Sequence, residues 1–286
     1  MNRRLLTMVG SKPWRRAHLP GLVVLVWLLA GTANACQVCI PFPTKTLADR
    51  LLEADALVLA REDPQRPFHY AAVETLKGDP GDAPIDVFLP SMDRRVLARF
   101  SQRHMLLARQ EPAGGWSALG ITDADYEQVV RRILDHAASW RPMETDNRQR
   151  LAEFARLLGH RDPRLHQLAY LEIGRAPYAE IRRIASEVPI ETVRGMLDDP
   201  KYLEWRGLAI LMLAQSGHAG DHARIRKTLE DKQRLGSTFN LAAWSTGYLA
   251  IDGASAVEQI RHWYLARPDR SKEELQAIVK AVSVSV

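Results

Sequence analysis

The 286 residues carry 46% hydrophobic and 26% charged side chains and a formal net charge of +5, a globular composition that excludes a fibrous or low-complexity chain. The excess of positive charge is confined to the first stretch, where Arg3, Arg4, Lys12, Arg15 and Arg16 stand with no acidic residue among them. The remainder is therefore close to neutral, which argues against a nucleic-acid partner.

That basic stretch runs into the apolar segment Leu22 to Ala30 and then into Ala33-Asn34-Ala35, the order of a cleavable secretory signal over residues 1–35. The apolar core is about ten residues, half of what a bilayer-spanning helix needs, and no later segment is apolar enough to span. We expect cleavage near Ala35/Cys36 and a periplasmic or secreted protein. A lipid anchor on Cys36 fits that cysteine's position, but Ala33 stands where lipoprotein signals place Leu. Twin-arginine export is suggested by Arg15-Arg16, but the following Ala-His-Leu-Pro lacks the expected Phe-Leu pair.

The pair Cys36 and Cys39 comes next, and three readings compete for it. A redox pair needs a thiolate stabilised at a helix N-terminus, whereas Ile40-Pro41-Phe42-Pro43 keeps the following chain extended. A metal site needs more ligands than two sulfurs; the Cys36 α-amine and carbonyl, with His69 and His104 from predicted strands, are the candidates. The third reading is a structural clip, as a local disulfide or as two packed thiols, which so short a loop would stabilise little. No cofactor is expected, a metal ion at this pair being the alternative.

From Cys36 to Trp140, residues 36–140, short runs of β character alternate with Pro and Gly turns. Strands are predicted over Ala56 to Arg61, Phe68 to Leu76, Ile85 to Leu89, His104 to Arg109 and Trp116 to Ile121. Helices from Lys45 to Ala54 and from Ala124 to Trp140 bracket them, the second opened by Thr122 and Asp125 as a capping box. The predicted class is α+β in two domains, a small five-stranded barrel followed by an all-helical region.

Residues 141–147 read as the linker. Beyond it, over 148–286, apolar residues recur at helical spacing in Leu151–Leu158, Leu165–Ile173, Ile181–Val188, Ile190–Leu197, Leu203–Ala214 and Ala223–Leu229, then in Leu241–Ile251, Ala256–Ala266 and Lys272–Val282. The segment Tyr202 to Gly217 overlays Thr238 to Gly253, and Asp162-Pro163 and Asp199-Pro200 open comparable helices, giving a period of roughly 36 to 40. With the Leu-Ala-Tyr-Leu and Leu-Ala-Ile-Leu cores, this half resembles HEAT repeats. The resemblance implies an α-solenoid of paired helices that holds another protein; an irregular helical bundle is the alternative.

A second resemblance rests on the early Cys-x-x-Cys, on Ala54-Asp55-Ala56-Leu57-Val58 and on Val73-Glu74-Thr75-Leu76-Lys77-Gly78. Their order is similar to the netrin-type or TIMP-like module, which implies an OB-fold barrel and a zinc-chelating N-terminal cysteine in the position of Cys36. The spacing here is C-x-x-C where those inhibitors have C-x-C, and the family's further cysteines are missing.

Phosphate loops, the G-x-S-x-G elbow and H-E-x-x-H are absent from the sequence. The charges of the helical half, Glu180, Glu187, Glu191, Asp198 and Asp199 among Arg182, Arg183 and Arg194, read as a solvated face. Aromatic residues are numerous there. Most are expected in the core, and Tyr178, Tyr202, Trp205, Trp244 and Trp263 are the candidates for contact with a partner. The expectation is an exported, non-enzymatic binding or scaffold protein whose partner is another envelope or extracellular protein. The rival expectation is a periplasmic thiol-disulfide or metal-handling protein acting through Cys36 and Cys39.

Overall fold

The structure, a computed structural model, describes residues 44–110 and 114–285. The chain enters through a short helix, α1 (Leu47–Glu53), whose Thr46 N-cap and Asp49 satisfy each other's backbone N–H groups in a capping box. Five strands follow: β1 (Ala56–Asp63), β2 (Arg66–Lys77), β3 (Ile85–Asp86), β4 (His104–Arg109) and β5 (Trp116–Thr122). They form one antiparallel sheet in the order β3-β2-β1-β4-β5.

β1 is the central strand, and Ala56 to Ala60 are buried without alternation. Both faces of the sheet are covered, which is what a continuous apolar strand requires. On one face Leu57, Leu59, Leu106 and Ala108 join the large core that continues through the helical half. On the other, Val58, Ala60, Tyr70, Met105 and Leu107 enclose a smaller core with Ile85, Leu89 and Leu97.

Leu97 comes from α2 (Ser91–Arg99), a helix that the apolar pattern does not announce because Leu97 is its one buried residue. β3 is also shorter than its predicted Ile85–Leu89 run. It pairs only at Ile85 and Asp86, after which Leu89 turns into the small core and Pro90 opens α2. Beyond Tyr70, β2 has no neighbour on its outer side among the described residues, and Ala71 to Thr75 are exposed.

Gly78 closes β2 with φ +67°, and a Cβ there would lie 1.9 Å from the Asp55 carbonyl oxygen. Lys77 beside it donates to the Leu52 carbonyl at 2.8 Å, closing the C-terminus of α1.

α3 (Ala124–Asp135) is capped by Asp123, which accepts from the Tyr126 N–H. It is shorter than the predicted Ala124–Trp140 helix. Turns replace its last part, and Trp140 folds back, buried, to stack on His136 with ring centroids 4.5 Å apart.

The helical half then runs α4 (Arg148–Ala155), α5 (Pro163–Gly174), α6 (Tyr178–Ile184), α7 (Ile190–Asp198), α8 (Arg206–Leu213), α9 (Ala219–Leu235), α10 (Leu241–Ile260) and α11 (Lys272–Ser285). The two Asp-Pro signals act alike. Asp162 and Asp199 each accept from the backbone N–H two residues on, with proline at the first helical position. At the second, however, the product is a 3-10 turn, Pro200–Trp205, and the predicted Leu203–Ala214 helix begins only at Arg206. The predicted Leu241–Ile251 helix and the first turn of the predicted Ala256–Ala266 helix are joined in α10 across a kink at Gly253, where φ is +53° and ψ −124°, and Arg261–Leu265 follow as a π-helical turn. In the internal overlay Gly253 corresponds to Gly217, which also has positive φ (+68°). α10 packs on α8 closely enough that a Cβ on Gly247 would stand 3.5 Å from Ala214 Cβ.

The chain is thus α+β, with a five-stranded antiparallel sheet and a helical half that share one core. Among the described residues no helix is long and apolar enough to cross a membrane.

Candidate functional site

Two ionic joints, the first buried and the second half-exposed, fix the sheet half against the helical half. In the first, Arg150 and Arg175 face Asp49 and Glu172, all of them buried. Arg150 donates to Asp49 Oδ1 at 2.8 Å, to both Glu172 oxygens at 3.1 Å and to the Arg141 carbonyl at 2.9 Å. Arg175 donates to Asp49 at 2.5 and 3.1 Å and to Glu172 at 3.1 Å. Thr46 donates its hydroxyl to Glu172, and the Met143 N–H donates to Asp49 at 2.7 Å. Burial alone would raise the Asp49 carboxyl. The hydrogen bonds from Arg175, the Thr46 backbone, Arg150 and Met143 overcome it and hold the group well below the usual carboxylate range.

The second joint is Arg164, which donates to the Ile121 carbonyl at 2.8 Å and pairs with Asp162 and Asp123. Together the joints set α1, β5 and α3 against α4 and α5. Residues 141–147 are part of this packing, since the first joint holds both Arg141 and Met143.

On this rigid frame lies an aromatic stack. α5 supplies His166 and Tyr170, and the 3-10 turn places Tyr202 and Trp205, three residues apart, on the same side. Ring centroids are 4.7 Å apart for His166–Tyr202, 4.6 Å for His166–Trp205 and 4.6 Å for Tyr170–Trp205. Tyr170 also donates to the Glu204 carbonyl at 3.2 Å. His166 is 2% exposed, and its Nε2 meets no hydrogen-bond partner among the described residues. Burial, with the nearby Lys201 charge, lowers it to about 4, so the imidazole is neutral at neutral pH.

His166 and Tyr202 line a cleft of about 540 Å³ together with Leu158, Met196, Asp198, Asp199 and Lys201. A second cleft, of about 590 Å³, abuts it across Gly159 and Thr192, which line both. Thr192 packs directly on Gly159, where a Cβ would stand 3.1 Å from Thr192 Oγ1. The second cleft is lined by Gln128 and Arg132 from α3 and by Arg156, His160 and Arg161 from the segment after α4.

Of the aromatic residues singled out in the sequence, the fold brings Tyr202 and Trp205 together, both half-buried. Tyr178 and Trp244 are buried, at 6% and 8% exposure, and contribute to the core. Trp263, half-buried, stacks on Tyr248 at 6.2 Å. His69 and His104 are not brought together, because β1 runs between their strands. His69 Nδ1 lies 3.2 Å from the Pro67 carbonyl, while His104 Nδ1 lies 2.8 Å from Glu127. Among the described residues no group of three or more His, Cys, Asp and Glu side chains is placed to hold a metal ion. Cys36 and Cys39 lie outside the described residues.

Sequence reasoning missed the cleft-lining residues Arg132, Gly159, His160 and Thr192. Only their meeting in space gives them significance. The class defined by these observations is an α+β protein with two adjoining surface clefts beside a half-buried aromatic stack. No family model, no curated protein and no solved structure matches the chain.

Proposed function

We propose that this chain is an exported, non-enzymatic binding or scaffold protein, and that it holds another envelope or extracellular protein on the surface of its helical half. In this reading residues 1–35 are the removed signal, 36–140 an OB-like barrel module and 148–286 a HEAT-like stack of paired helices. The observation that carries it is the pair of clefts beside Tyr202, whose ring is immobilised on His166 before any partner arrives. A pre-ordered aromatic contact loses little side-chain entropy on binding, which is why such residues become hot spots.

The test is site-specific photocrosslinking in the full exported chain, with a benzophenone side chain placed at Tyr202 and, as control, at the exposed Lys227. A discrete adduct to one protein from position 202 and not from 227 is the expected result. Identical ladders from both positions, or no adduct at 202, would refute the reading.

A further inference from the structure

We infer that the cleft between α3 and the segment after α4 seats carboxylate side chains of an extended partner segment, whose neighbouring apolar residue rests in the Tyr202 cleft. This deepens the binding role proposed above and rests on it. The first support is charge. Arg132, Arg156 and Arg161 line the cleft against a single carboxylate, Asp125. Arg132 has no ion-pair partner among the described residues. Arg161 meets Asp125 at 3.1 Å with the two side chains 87% and 49% exposed, and Arg156 meets Glu153 at 2.7 Å. Exposed pairs of this kind are worth about 0–1 kcal/mol, so either guanidinium can exchange its partner for an incoming carboxylate at small cost.

The second support is the orientation of His160. The Asp162 backbone N–H donates to His160 Nδ1 at 3.0 Å, which leaves the ring proton on Nε2 and makes that nitrogen a donor. Guanidinium groups and an imidazole N–H match carboxylate oxygens, and an arginine can grip both oxygens of one carboxylate.

The third support is the neighbouring cleft, which separates a peptide from a free anion. Arg132 on one side and Arg156 and Arg161 on the other belong to different elements, and the surface passes over Gly159 to Leu158, Met196, Tyr202 and the neutral His166, beside Asp198 and Asp199, whose charges are met by Arg224 and Lys201. An inorganic anion would use only the basic end. A peptide that follows its acidic residues with an aromatic or aliphatic one uses both.

Fluorescence anisotropy on the full chain after export provides the test. The probes are a fluorescein-labelled peptide with three Glu followed by Gly-Phe-Leu and its reverse, so that both chain directions are sampled. Controls replace Glu by Gln or Phe-Leu by Gly-Gly. At least one acidic probe should bind saturably, and each control should bind more weakly. Arg132→Glu should weaken binding by about tenfold or more, and Tyr202→Ala should also weaken it. Arg132 is exposed, so its variant should keep the parent melting temperature.

Three results would overturn the inference: neither acidic probe binds, the Gln control binds as well, or inorganic phosphate or dextran sulfate displaces the Gln control and the acidic probe alike. If the acidic probes fail while the Tyr202 adduct persists, the carboxylate chemistry falls and the binding role stands. Loss of both removes both.

Discussion

Replacing Arg150 by Met keeps a side chain of similar length but removes the charge from the centre of the first joint. Arg150 and Asp49 are both 0% exposed and Glu172 is 1% exposed, so water cannot take over the lost contacts. Two carboxylates would be left with one guanidinium, that of Arg175, and the Arg141 carbonyl would lose its donor. Breaking a buried ion pair from one side costs about 3–5 kcal/mol, because the abandoned charge stays desolvated. For a body of this size each kcal/mol moves the melting temperature by about 2–4 °C, so the midpoint should fall by about 6–20 °C. Arg150→Lys restores the charge without the planar fork and should recover part of the loss. Urea unfolding followed by circular dichroism measures both variants. A loss below about 1 kcal/mol for Arg150→Met, or equal losses for Met and Lys, would refute the view that paired buried charge holds the two halves together.

Acidification should expose the same joint. The Asp49 carboxyl is held below its ordinary value of 3.8, so its contribution is complete above that pH and is lost as the pH falls further. Asp49→Asn should lower stability at neutral pH and flatten the acid limb of the stability curve. His166 sits at about 4 against an ordinary 6.5. The unfolded chain binds its proton first, so about 3 kcal/mol is lost as the pH falls from 6.5 to 4. His166→Phe keeps the ring stack and should abolish that slope in denaturant titrations across the window. Gly78→Ala must place a Cβ 1.9 Å from the Asp55 carbonyl oxygen at φ +67°. It should cost more than about 2 kcal/mol in thermal unfolding, since backbone and not a flexible side chain is in the way.

What was legible in the sequence is what local chemistry dictates. Short runs of β character between Pro and Gly turns located four strands to within two residues, and the Asp-Pro pairs marked two helix openings by a mechanism visible in both caps. The Ala54-Asp55 and Lys77-Gly78 segments, noted for their order along the chain, do meet: Gly78 crosses Asp55 and Lys77 closes α1. What was not legible depends on long-range contact. α2 escapes because a helix with one buried residue has no apolar period. The charges of the first joint sit far apart in the chain and look like solvated surface until folding buries them. Tyr202 and Trp205 could be picked out as aromatic residues, but Gly159, Thr192 and Arg132 had no sign in the sequence, because a cleft is a relation between elements.

Those long-range contacts also bear on whether the two halves fold apart. A composition shift at residues 141–147 suggests a linker, yet both Arg141 and Met143 are bound into the first joint, and Trp140 packs against Phe154 at 6.1 Å. The large core runs without a break from Ala48 and Leu51 through Leu57 and Val130 to Leu151, Leu168 and Ile278. A fragment of residues 145–286 would expose one side of that core and would keep Arg150 and Arg175 with Glu172 but without Asp49. It should therefore lose cooperativity and melt broadly, and adding the fragment of residues 36–144, which carries Asp49, Arg141 and Met143, should restore a single sharp transition. Calorimetry of the fragments, alone and mixed, measures this. If the helical fragment alone melts as sharply and at the same temperature as the full chain, the joint is an interface between independent bodies, and the clefts belong to the contact between α3 and the helices and not to one folding unit.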